Sequence, residues 1–75
     1  MTLEEAKILA RQGVKMTHKL FPSHKYMTMR GNTVIFENGM SIVNIDNWIT
    51  PDKEYFNIGW SEFKEHDYPN YLYQE

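Results

Sequence analysis

Tyr26-Met27-Thr28-Met29-Arg30, Gly31-Asn32, Thr33-Val34-Ile35-Phe36-Glu37, Asn38-Gly39 and Met40-Ser41-Ile42-Val43-Asn44-Ile45 follow one another without interruption. The three longer runs alternate with a two-residue period, and the dipeptides between them suit the positive φ values of tight hairpin loops. Two-residue loops fix the register, because the residues flanking each turn must pair. Arg30 is then expected opposite Thr33, and Glu37 opposite Met40. On that register Met27, Met29, Val34, Phe36, Val43 and Ile45 share a core face. Tyr26, Thr28, Arg30, Thr33, Ile35, Glu37, Met40, Ile42 and Asn44 share the reverse face. That face is mixed, and Tyr26, Ile35, Met40 and Ile42 make it an expected interface between copies of the chain, since a large exposed apolar patch is unusual in a monomer.

Upstream, Thr2 and Glu5 form a capping box that opens a helix ending at Gly13. Its apolar stripe is Leu3, Ala6, Leu9 and Ala10. About three turns are too short to stand alone, so the helix must lie on the sheet's core face. Val14 to Leu20 reads as a strand with Val14, Met16, His18 and Leu20 on one side, and Phe21-Pro22-Ser23-His24 as a turn. Asn47-Trp48-Ile49-Thr50-Pro51-Asp52 is a further break, with Thr50 or Asp52 able to cap a short turn through Phe56. Asn57 to Phe63 reads as a last strand, with Ile58, Trp60 and Glu62 on one side. The expected fold is α+β, one N-terminal helix (1–13) packed on an antiparallel sheet of four to five strands (14–63). Tyr68, Tyr71 and Tyr73 in an aromatic C-terminal tail (64–75) suit docking on a surface. The 75 residues make one domain, 1–75.

Composition narrows the chemistry. No cysteine is present, which excludes disulfides and thiolate catalysis and is in keeping with a reducing cytosol. No apolar run is long enough to span a bilayer. Residues 1–30 hold six basic against two acidic residues, a balance of +4, and residues 31–75 two against eight, a balance of −6. A duplex nucleic-acid binder shows a basic excess, so no duplex partner is expected. A small phosphorylated ligand needs one or two local cations only. His18, His24 and His66 match no zinc spacing, so no metal or other cofactor is expected. No serine sits in a nucleophile motif, and no catalytic residue is assigned. Phe21 follows a basic strand carrying Lys15, His18 and Lys19. Trp48 and Trp60 lie near strand ends, as core anchors or as platforms for a flat ligand. Stacking a base on an aromatic ring contributes about 1–3 kcal/mol.

Three segments carry a resemblance. They are Leu3-Glu4-Glu5-Ala6 running into Gln12-Gly13-Val14-Lys15, then Met16-Thr17-His18-Lys19-Leu20-Phe21, then Trp48-Ile49-Thr50-Pro51 followed by Gly59-Trp60. Together they resemble the phage type-two Thoeris anti-defence family, small helix-plus-sheet proteins that sequester nucleotide immune signals. The family has Arg, Trp and Asp where this chain has His18, Phe21 and Gly59. The resemblance implies a non-catalytic protein of the host-cell cytoplasm that binds a cyclic nucleotide or a cyclic ADP-ribose-like signal. Phe21 and Trp60 would stack on it, with Trp48 a second wall, and His18, Lys19 and Arg30 would contact phosphate or ribose. It also implies a homo-oligomer with pockets between subunits. The other reading is an inhibitor that docks on a host defence protein, of anti-CRISPR or anti-restriction type, through the acidic, Tyr-rich segment Asp46 to Glu75.

Overall fold

The computed structural model describes residues 1–64. It has one helix, α1 (Leu3–Arg11), on a five-stranded antiparallel sheet of β1 (Met16–His18), β2 (Met27–Arg30), β3 (Thr33–Phe36), β4 (Ser41–Ile42) and β5 (Trp60–Glu62). The strand order is β4-β3-β2-β1-β5. Two 3-10 turns, Ile45–Asn47 and Glu54–Phe56, lie in the connection between β4 and β5.

The capping box forms as expected. Glu5 N–H donates to the Thr2 hydroxyl, and Thr2 N–H donates to the Glu5 carboxylate at 2.8 Å. At the other end Gly13 N–H donates to Ala10 O and Val14 N–H to Leu9 O, which engages two of the carbonyls at the helix end as the chain turns away. Ala6 and Ala10 are buried, and these small residues let α1 lie close on β2. Arg11 extends past the helix end and clamps the β2–β3 turn, with Nε on Gly31 O and Nη2 on Asn32 Oδ1, both at 2.9 Å.

The β2–β3 hairpin has the expected register, from Met27 opposite Phe36 to Arg30 opposite Thr33. The β3–β4 register differs by one residue. Val34 pairs with Ile42 and Ile35 with Ser41. Phe36 N–H donates to Met40 O at 2.8 Å and Gly39 N–H to Phe36 O at 2.9 Å, so the loop is the three residues Glu37 to Gly39. Gly39 has φ +86°, while Asn38 does not reach positive φ. That combination gives a turn closed by a left-handed glycine and a bulge, with the Asn38 side chain accepting from Met40 N–H at 3.0 Å. The dipeptide Asn-Gly suits both loop types, and the longer one won.

One residue of slip exchanges faces. Ile42 packs against the core and not on the reverse face, and Met40, two residues away, lies at the core-side rim with 67% exposure. Val43, expected in the core, is 78% exposed. The strand ends at Ile42, and Ile45 returns to the core through a 3-10 turn whose first N–H donates to Asn32 O. The reverse face carries Thr17, Tyr26, Thr28 and Ile35, all half-buried. Tyr26 is already partly covered by its own chain, with the Phe63 ring 4.9 Å away and Lys15 Nζ 4.9 Å above its ring.

The core consists of Ala6, Ala10, Met16, Met27, Met29, Val34, Ile45, Phe56 and Trp60. β1 ends at His18, where Phe21 N–H turns back to His18 O, so Leu20 leaves the expected strand and is exposed. The second 3-10 turn begins from Lys53 with no side-chain cap; Thr50 donates its hydroxyl to Asp52 instead of capping that turn. The expected docking of Tyr68, Tyr71 and Tyr73 concerns residues outside those described. Among the described residues no helix is long and apolar enough to cross a membrane.

Candidate functional site

Where β1 and β5 pair, His18 lies opposite Trp60, and four more rings join them to make a cluster of six in two tiers. The inner tier is His18, Phe56 and Trp60. His18 is 2% exposed and meets Phe56 and Trp60 edge-on, with centroids 4.8 and 5.0 Å away. Such tilted contacts suit the ring quadrupoles. Both imidazole nitrogens are engaged. Nδ1 accepts from Leu20 N–H at 3.1 Å, so the ring hydrogen sits on Nε2 and is donated to Ile58 O at 2.7 Å and Tyr55 O at 3.0 Å. Trp60 is 3% exposed, and its indole N–H donates to Phe56 O at 2.6 Å. These two residues are therefore structural. The expected ligand contacts from His18 and stacking from Trp60 do not fit this geometry, because neither presents a polar atom or an open ring face.

The outer tier is Phe21, Phe36 and Trp48, each half-buried. Phe21 and Trp48 are nearly parallel, 6.1 Å apart at 29°, and Phe36 meets Trp48 at 5.0 Å and 84°. A planar ligand between Phe21 and Trp48 would need about 7 Å, two contacts of about 3.5 Å each. The gap is therefore closed to a planar ligand. Lys25 Nζ stands 4.2 Å from the Phe36 centroid and 5.7 Å from that of Phe21. Lys53 Nζ donates to Trp48 O at 2.7 Å. Neither amine pairs with a carboxylate among the described residues. Aromatic surface and two cations thus occupy one end of the sheet, on the core-face side.

The other expected contacts do not converge there. Lys19 is exposed, and its N–H donates to Gly59 O at 3.0 Å. Arg30 closes β2 at the far end, five residue levels from His18 along the strands, or about 16 Å, and points to the reverse face. It is too far away to share a small ligand with Phe21. Lys25 and Phe36 were not among the expected contacts. The signal for Lys25 was present, since it is in step with Met27 and Met29 and so falls on the core face. Nothing local announces Lys53 or Phe56, which reach the cluster through the β4–β5 connection.

Gly59, where the resembled family carries an aspartate, has φ +96°. A Cβ there would meet His18 Nε2 at 3.0 Å and the Lys19 side chain at 3.1 Å. This position accepts glycine alone without strain. Among the described residues no three His, Asp or Glu side chains are grouped to hold a metal ion. No family model, curated protein or solved structure was found to match the chain.

Proposed function

We propose that this is a non-catalytic binding protein for a small, flat, anionic ligand of the nucleotide class, held on the outer aromatic tier. The observation that carries the reading is Lys25, whose amine stands over the Phe36 and Phe21 rings with no carboxylate partner among the described residues. A base resting on the exposed part of Trp48 would bring its phosphate towards Lys53, which bonds the Trp48 carbonyl, and towards Lys25 over the neighbouring rings. In the setting that the resemblance implies, the ligand is a cyclic nucleotide or cyclic ADP-ribose-like immune signal. A phage protein then sequesters it intact in the host cytoplasm, acting as a homo-oligomer.

Thermal unfolding against a panel of cyclic nucleotides and cyclic ADP-ribose isomers tests this. Ligand at a hundred times its Kd adds about 2.7 kcal/mol, a rise in Tm of roughly 10–20 °C for a domain of this size. The ligand should be recovered unchanged after heat release. A flat response across the panel overturns the reading.

A second reading, an inhibitor that docks on a host defence protein, is favoured by a different observation. Leu20, Tyr55 and Ile58 are 60%, 50% and 59% exposed, and all three are tied through their backbone to His18. A rigid apolar rim of this kind suits the centre of a protein interface. Capture of a defence enzyme that is lost on Tyr55→Ala and Ile58→Ala would favour it.

A further inference from the structure

The two edges of the sheet are treated differently. On β5 the ladder bonds join Lys19 to Gly59 and Lys15 to Phe63, so the backbone groups of Trp60 and Glu62 point outward. The N-terminal segment covers part of that edge: Trp60 N–H donates to Met1 O at 3.2 Å, and Leu3 N–H to Asn57 O at 2.9 Å. Glu62 adds an exposed charge. These are the usual guards against strand-to-strand association.

Among the described residues β4 has neither a covering segment nor a charge, and only its two-residue length and the bulge at Gly39 limit pairing there. Its ladder bond runs from Phe36 N–H to Met40 O and recurs at Val34 and Ile42, which leaves the Ser41 N–H and C=O aimed away from β3. Residues 38 to 45 contain no charge and no proline. Met40 and Val43 beside this edge are among the most exposed apolar side chains of the described residues. An outward amide and carbonyl call for an extended strand as their partner. The absence of charge matters for which strand, because in a two-fold pairing each side chain meets its own kind or a near neighbour, and like charges would repel.

We propose that β4 pairs antiparallel with β4 of a second copy, about a two-fold axis at Ser41, joining two five-stranded sheets into one of ten strands. Ser41 N–H donates to the carbonyl of the partner's Ser41, and the reverse bond completes the pair. Met40 then lies opposite the partner's Ile42, on the same face, and each covers the other's apolar surface. This rests on the functional reading above only for the existence of an oligomer. It replaces the reverse face, where Tyr26 is already occupied, as the surface of contact. It needs no ligand.

Light scattering after size exclusion measures it directly, with ligand-free protein. The parent should have the mass of two or more 9.0 kDa chains. Ser41→Pro removes the outward N–H and should halve that mass. Ser41→Lys and Ser41→Glu should each do the same by setting like charges against each other, and an equimolar mixture of the two should recover the parent mass. Circular dichroism confirms that each variant is folded, and Ser41→Lys and Ser41→Glu carry the test should Ser41→Pro unfold. A parent that runs as one chain at every concentration overturns the proposal. So does an oligomer unaffected by any of the folded Ser41 variants, an outcome that leaves ligand binding untouched. Ligand binding that persists in monomeric Ser41→Lys would separate the two readings.

Discussion

His18 donates its Nε2 hydrogen to the carbonyl of Ile58, 40 residues along the chain, at 2.7 Å. This bond ties β1 to the approach to β5, with the ring packed between Phe56 and Trp60. His18→Ala removes a buried ring and leaves the Tyr55 and Ile58 carbonyls without their donor. Large-to-small changes of aromatic rings cost about 3–5 kcal/mol, and His18→Ala should fall near the lower end of that range. Urea unfolding checks it; a loss under about 1 kcal/mol would contradict the structural role given to the ring.

The β3–β4 register makes an asymmetric prediction. Ile42→Ala should destabilise by about 1–2 kcal/mol because the side chain is half-buried on the core. Val43→Ala should stay within about 0.5 kcal/mol, as for other exposed positions. With the two-residue loop the order would be reversed, so the pair of denaturation curves decides between the registers.

Gly39 and Gly59 both have positive φ, but only Gly59 is crowded. Gly39→Ala should cost about 1 kcal/mol of backbone strain alone. Gly59→Ala adds contacts with His18 Nε2 and the Lys19 stem, and should reach about 2–3 kcal/mol. Equal effects in thermal melts would show that the Gly59 surroundings yield freely.

At the outer tier, Lys25→Met keeps an apolar stem over Phe36 and removes the charge. Stability should change by less than about 1 kcal/mol, since the cation–π contacts are partly solvated. Nucleotide binding in calorimetry should weaken by tenfold or more. Arg30→Met, at the far end, should leave affinity unchanged, and a matching loss there would contradict the proposed site.

The helix start sets an acid sensitivity. The Glu5 carboxyl is held below its ordinary value of 4.5, chiefly by the bond from Thr2 N–H and then by the Thr2 hydroxyl. A depressed folded value means the stabilisation is present above about pH 4.5 and is lost as pH falls through the folded value. The stability advantage of the parent over Glu5→Gln should therefore be full at neutral pH, shrink below that point and disappear in stronger acid. Asp52, lowered in the same way by the Thr50 hydroxyl, behaves likewise. Chemical denaturation at a series of pH values follows both.

Much of this architecture was legible in the chain. Thr2 with Glu5 announced the helix start, and Gly31-Asn32 between alternating runs announced β2 and β3, because each is a local rule acting within a few residues. The β4 register was not, since Asn38-Gly39 serves two loop types and only the tertiary demand for Ile42 in the core separates them. The site was less legible still. His18 looks like a polar group on a basic strand until Ile58 O and Tyr55 O arrive from 40 and 37 residues away. Trp60 sits opposite it in the ladder, and the sealed indole follows from the same long-range pairing.

The division of the ring cluster into a sealed layer and an open one has an evolutionary consequence. The most deeply buried rings, His18, Phe56 and Trp60, are not the ones a ligand would touch on the proposed reading, although Phe21 packs against all three. On the proposed reading, a change at Lys25, whose amine stands over the outer rings, would alter what is recognised while leaving the packing of His18, Phe56 and Trp60 in place. If the proposed reading holds, a chain built this way could meet a changed target by exchanging a surface cation, with its foundation left in place.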